Sequence, residues 1–261
     1  MRTGMKVAVA MAYLAFASVA CAEVQTKVVD YRQGDTPLQG FLAWDDAAHG
    51  KRPGIVVVHE WWGHNEYVRN RARQLAKAGY VAFALDMFGK GKTTTHPSDA
   101  QTFMSEASKD PAALAARFQA GLDQLLQDPH VDKDKIGAIG YCFGGGVILE
   151  RARAGDDLDA VVSFHGMLGA QTPAEPGKIK GRILVLTGAA DPFVPADQVE
   201  AFKKEMTAAG ANYKVISYPG AKHGFTNPFA DQAGMTQLAY NRDADKKSWA
   251  EMLKLFKEVW R

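Results

Sequence analysis

The 261-residue chain is 47% hydrophobic and 23% charged, enough apolar material for a large core, which excludes a disordered or low-complexity polymer. Its 31 Lys and Arg stand against 29 Asp and Glu, and setting aside Arg2 and Lys6, which fall in a segment read below as cleaved, leaves 29 of each sign. A balanced chain has no basic footprint for phosphate backbones or anionic lipid, so no nucleic-acid partner is expected.

Arg2 and Lys6 precede an apolar run over residues 7–20, followed by Ala20-Cys21-Ala22. This is the layout of a secretory signal peptide over residues 1–22, cleaved before Glu23, which leaves residues 23–261 as one domain working in the periplasm or outside the cell. Ser18-Val19-Ala20-Cys21 also resembles a lipobox, with Ser where Leu is usual; in that case Cys21 is lipid-modified and retained. A membrane-spanning helix needs about 20 apolar residues, and no later run approaches that. Cys21 and Cys142 are the two cysteines, so the mature chain carries one thiol and no internal disulfide.

Val24–Tyr31 and Leu38–Trp44 flank a turn containing Gly34, Asp35 and Pro37, which reads as an antiparallel hairpin. The next apolar runs, Ile55–His59, Tyr80–Leu85, Ile136–Ile139, Ala160–Phe164, Ile183–Leu186 and Tyr213–Tyr218, have the uninterrupted pattern of strands covered on both faces. Helical spacing over Tyr67–Ala78, Pro111–Gln127, Ala196–Ala209 and Ser248–Trp260 lies between and after them, and Gly79 stops the first. Strand and helix alternating in this way predict an α/β fold with a mostly parallel central sheet, helices on both faces, and the hairpin at its start. In such sheets reactive groups sit in the loops that leave the carboxyl ends of strands.

Three strand ends carry candidate chemistry. The strand ending at Ile139 runs through Gly140-Tyr141-Cys142-Phe143-Gly144 into a helical segment, a nucleophile elbow with Cys in the central place. Glycines at Gly140 and Gly144 let strand and helix approach while the thiol projects, and the helix start favours a thiolate and a developing oxyanion. Asp191 follows the strand at Ile183, and His223 follows the strand at Tyr213. Nucleophile, acid and His in that chain order, each after a strand, form the α/β-hydrolase arrangement. His223 is then the base for Cys142, and Asp191 orients the imidazole. The loop after the strand at Ile55 supplies the Trp61 backbone N–H to an oxyanion hole shared with Phe143, and Glu60 is either a surface carboxylate or a charge beside the thiol.

Two other motifs are decoys. His59 and His64 are five residues apart after a strand, not four apart on a helix, so no zinc site is expected. Gly89-Lys90-Gly91-Lys92-Thr93 resembles the end of a phosphate-binding loop, but its first glycine would fall at Asp86. No metal and no cofactor are expected.

Val57-Val58-His59-Glu60-Trp61-Trp62-Gly63, Asp86-Met87-Phe88, Gly140-Tyr141-Cys142-Phe143-Gly144-Gly145, Gly188 to Pro195 and Gly220 to Phe225 together resemble the dienelactone hydrolase (carboxymethylenebutenolidase) family. The resemblance implies an α/β-hydrolase fold, a Cys-Asp-His triad, hydrolysis of a small lactone or ester, and a Glu, matched by Glu60, that holds the resting thiol. The family's dienelactone-cleaving members bind the substrate carboxylate with two arginines; their places here are Lys90 and Asn227, a point charge and a neutral amide. Trp61, Trp62, Phe88, Phe193 and Phe225 suggest an apolar pocket. Thioester cleavage or another acyl transfer at the same site, and a thiol that senses oxidants without turnover, remain open readings of the lone Cys142.

Overall fold

The computed structural model describes residues 23–48 and 50–261; the export-signal reading of residues 1–22, with Cys21, lies outside them. Strands β1 (Val24–Gln33) and β2 (Thr36–Asp45) form the antiparallel hairpin, and β2 pairs antiparallel with β4 (Val81–Leu85). Beyond β4 the sheet is parallel through β3 (Arg52–Val58), β5 (Val131–Tyr141), β6 (Ala160–Phe164), β7 (Arg182–Gly188) and β8 (Tyr213–Tyr218). The order of the eight strands is β1-β2-β4-β3-β5-β6-β7-β8.

The apolar strands divide their side chains between two cores, because successive residues point to opposite faces. Val56 and Val58 pack toward α3 (Pro111–Leu126), α4 (Phe143–Ala154) and α5 (Ala196–Ala208), through Phe118, Leu122, Ile148, Phe202 and Met206. Ile55 and Val57 face α1 (Glu66–Lys77) and α6 (Arg242–Val259), through Val68, Leu75, Met252 and Phe256. Burial on both sides is the reason these strands read as continuous rather than alternating runs.

Helix α1 starts where expected, with the Asn65 side chain accepting from the Tyr67 N–H at 3.1 Å. Helix α2 (Pro97–Ser108) has no counterpart in the sequence reading, because it buries only Ala100 and Ala107 and so has no apolar stripe to reveal it. Helix α6 begins six residues before Ser248, at Arg242, where Asn241 caps it by accepting from the Ala244 N–H at 3.0 Å. Strand β5 begins at Val131, since the charged residues Asp132 to Lys135 hide its first half from a hydropathy reading. Among the described residues, no helix is long and apolar enough to cross a membrane.

Candidate active site

The turn between β5 and α4 is set by backbone contacts. A Cβ on Gly140 would lie 2.2 Å from the Gly144 carbonyl oxygen, and one on Gly144 would lie 2.4 Å from that of Val58, so neither position has room for a side chain. The close approach forces Cys142 to φ 51° and ψ −115°, left-handed backbone that costs a non-glycine residue about 1–3 kcal/mol. The turn is fixed on both sides: the Cys142 N–H donates to the Phe164 carbonyl at 3.0 Å, and the Cys142 carbonyl accepts from Gly145 at 3.0 Å. The Cys142 thiol is free and half-buried at the N-terminus of α4.

The loops after β7 and β8 are stitched together before they meet the elbow. The Ala190 N–H donates to the Ala221 carbonyl at 2.9 Å, and a Cβ on Gly188 would lie 2.2 Å from that same oxygen. Asp191 and His223 are thereby brought together, with His223 Nδ1 at 2.8 Å from Asp191 Oδ2 and both side chains buried. Nε2 is the nitrogen left for Cys142, whose sulfur is close enough to alter the ring's titration. Burial opposes the imidazolium, but the charge of the Cys142 sulfur and the hydrogen bond with Asp191 outweigh it and push the His223 pKa up to about 10.

His59 is locked at the end of β3. Its Nε2 accepts from the Met87 N–H at 3.1 Å, so Nδ1 carries the proton and donates to the Glu60 carbonyl at 2.6 Å. Both nitrogens are thus occupied, which removes the ring as a metal ligand. The His59 carbonyl accepts from Gly144 N–H at 3.1 Å, tying this loop to the elbow. The N–H groups of Trp61 and Phe143 have no hydrogen-bond partner among the described residues. They are available to a developing oxyanion.

Glu60 is buried, and its Oε2 accepts from Asn227 Nδ2 at 2.6 Å. It is therefore not a surface carboxylate, and its hydrogen-bonding partner is Asn227, not the thiol that the resemblance implied. An ordinary glutamate titrates near 4.5; burial, offset only in part by Asn227 and by the charges of His223 and Arg71, pushes Glu60 up to about 7. Between those pH values the unfolded chain has lost this proton while the folded chain keeps it, so the group lowers stability progressively as pH rises through the window. Glu60→Gln retains an oxygen for Asn227 and is expected to raise unfolding free energy at pH 8 by on the order of 2–3 kcal/mol, with little change at pH 4.5. Urea titrations at the two pH values measure this, and an equal effect at both would refute the buried-proton account.

The remaining expected residues divide. Lys90 does not face the site: its ammonium pairs with Asp30 of β1 at 2.7 Å, and its N–H donates to Pro37. That follows from the turn before it, where Asp86 Oδ1 accepts from both Phe88 and Gly89 at 2.9 Å and turns the chain toward the hairpin. The Gly89–Thr93 segment docks as a loop, with Thr94 N–H donating to the Trp62 carbonyl at 3.1 Å. Phe88 is core, packed on His59 at 4.7 Å and Phe143 at 5.2 Å between ring centres, and Phe225 is fully buried beside His165. Neither lines the cavity beside Asn227. Trp62 and Asn227 line a cavity of about 570 Å³ that also borders Tyr67, Phe229 and Gln232.

Behind His223 lies a polar cluster that the sequence reading did not single out. His165, at φ 40° and fully buried, places its ring 5.2 Å from that of His223, and its Nε2 lies 2.8 Å from Thr226 Oγ1. Thr226 Oγ1 also meets Tyr67 Oη at 2.6 Å, and Arg71 donates to the Thr226 carbonyl at 2.6 Å and to Asp245 at 2.7 Å. Burial holds the His165 pKa well below the ordinary range, so this ring is neutral beside His223. Searching strand ends would have found His165, since β6 ends at Phe164. Nothing in the local sequence marks Arg71 or Thr226.

This geometry has close relatives. A solved structure described as a dienelactone hydrolase-like promiscuous phosphotriesterase from metagenomic libraries is 37% identical, with a TM-score of 0.87 over 92% of this chain and 99% of its own. The solved structure named m3DLH is 39% identical, with a TM-score of 0.87 over 91% and 99%. The protein usf of Aquifex pyrophilus is 31% identical over 209 residues, 77% of this chain and 87% of its own length. The model of the dienelactone hydrolase family matches residues 38–260, from β2 to the end of α6. That span takes in every loop that carries a candidate residue, and on this ground the chain belongs to the dienelactone hydrolase family.

Proposed function

We propose that the protein hydrolyses a small carboxylic ester or lactone through an acyl-cysteine. The observation that carries this reading is the line Cys142, His223, Asp191 at a strained elbow, with imidazole basicity raised beside the sulfur and two free N–H groups at the helix start. His223 Nε2, poised beside the sulfur, takes the thiol proton as the nucleophile forms. The sulfur attacks the carbonyl carbon, a C–S bond forms, and the oxyanion rests on the N–H groups of Trp61 and Phe143. The C–O bond then breaks, and His223 Nε2 gives its proton to the leaving alkoxide. Water next attacks the thioester while His223 takes its proton, the C–S bond breaks, the carboxylic acid leaves, and His223 returns the proton to the sulfur. Asp191 holds the imidazole in the tautomer that both steps need. Expected export by residues 1–22 supports a site of action beyond the cytoplasm.

Incubation with 4-nitrophenyl butyrate, quenched in acid and followed by peptide mass spectrometry, is expected to find one butyryl group on the peptide that carries Cys142. His223→Ala should retain little turnover. Equal hydrolysis by wild type and His223→Ala would sink the enzymatic reading; peroxide-dependent sulfenic acid at Cys142 without ester turnover would favour an oxidant sensor.

A further inference from the structure

We propose, on the basis of the hydrolase reading above, that the site selects uncharged esters with an apolar acyl group and rejects substrates that carry a carboxylate. The first observation concerns exposed apolar surface. Four large hydrophobic side chains stay exposed among the described residues, Val28, Met167, Phe193 and Phe229. Three of them stand in the loops after β6, β7 and β8, the same loops that carry His165, Asp191 and His223. Phe193 sets its ring edge-on to His223 at 5.1 Å between centres, and Phe229, 59% exposed, forms one wall of the cavity lined by Trp62 and Tyr67, which the triad does not line and which meets the site through Asn227, bonded to Glu60 at 2.6 Å. Apolar side chains left in water at one edge of a sheet, one of them against the catalytic imidazole, mark a place where an apolar ligand is desolvated.

The second observation concerns charge. No Lys or Arg lines that cavity; its one acidic residue is Glu66, and its His96 is exposed to solvent. Three cations of the flanking loops and of α1 are paired away from it: Lys90 with Asp30 at 2.7 Å, Arg71 with Asp245 at 2.7 Å, and Lys222 with the Thr236 carbonyl at 2.8 Å. Arg73 is paired with Glu66 at 2.5 Å. A substrate carboxylate entering between Trp62 and Phe229 would shed water without meeting a fixed positive charge, and it would approach Glu60, which Asn227 joins to the cavity wall. A neutral acyl chain gains from the same apolar wall and loses nothing to the missing cation.

The test uses one skeleton in two charge states: mono-4-nitrophenyl adipate, ionised at its far end, and 4-nitrophenyl methyl adipate, neutral there. At pH 8 the neutral ester is expected to have a kcat/KM about tenfold or more above that of the half-ester. Gln232→Lys places a cation on the cavity wall and is expected to narrow that ratio about threefold or more. Equal or faster turnover of the half-ester overturns the charge selection and leaves the hydrolase reading standing. An unchanged ratio in Gln232→Lys overturns the cavity's part in it. No turnover of either ester, nor of 4-nitrophenyl acetate, removes the hydrolase reading and this inference with it.

Discussion

Cys142→Ala is expected to lower kcat/KM for 4-nitrophenyl butyrate by about 10³-fold or more, while the thermal melt stays close to that of the wild type. The side chain removed is small and half-buried, and the turn is set by the glycines and amides around it, so the fold has little to lose. What is lost is the atom to which the acyl group would bond. Sulfur, imidazole and carboxylate act as a unit, so Cys142→Ala combined with His223→Ala should be no slower than the worse single variant. Steady-state kinetics on the three variants, with circular dichroism melts as the folding control, give the answer. A loss for Cys142→Ala below about tenfold, or multiplicative losses in the double variant, would show that turnover does not pass through this sulfur.

Arg71→Ala is expected to cost about 3–5 kcal/mol of unfolding free energy, the range for breaking one side of a buried ion pair. The Arg71 side chain is almost fully buried, donates to Asp245, to the Thr226 carbonyl and to Gln74, and stacks on the rings of Tyr67, Tyr141 and Trp249. Its removal leaves the Asp245 carboxylate with the Tyr240 hydroxyl at 3.1 Å and no cation, and frees the segment just beyond His223. Lysine should not rescue it, because a single ammonium cannot reproduce a planar fork that serves three acceptors while lying between aromatic faces. Urea denaturation of Arg71→Ala and Arg71→Lys measures the loss, and a cost below about 1 kcal/mol, the level of an exposed ion pair, would contradict it.

Legibility in the sequence followed the range of the physical signal. The parallel strands could be read because burial on both faces leaves an unbroken apolar run, and the elbow because close approach of two backbones admits only glycine at Gly140 and Gly144. Asp191 and His223 were found by their place after strands, and the structure brings them within 2.8 Å. Lys90 and Asn227 were harder, since their neighbours in space are far away in the chain: Asp30 takes the first and Glu60 the second. Phe88 and Phe225 lie near the right strand ends, but which side of a loop an aromatic ring faces is decided by packing that no local pattern records. Arg71 and Thr226 escaped for the same reason, being joined across 155 residues.

The elbow also bears on how such a catalyst can change. Nothing that shapes the turn at residue 142 touches the tip of its side chain: glycine contacts, a carbonyl of β6 and an amide of α4 grip the main chain alone. A serine codon lies one base from a cysteine codon, so oxygen could take the place of sulfur in this socket without a new fold to be found. Lineages built on it are free to trade the softness of a thiol, and its vulnerability to oxidants, for the durability of a hydroxyl, with His223 and Asp191 already waiting for either.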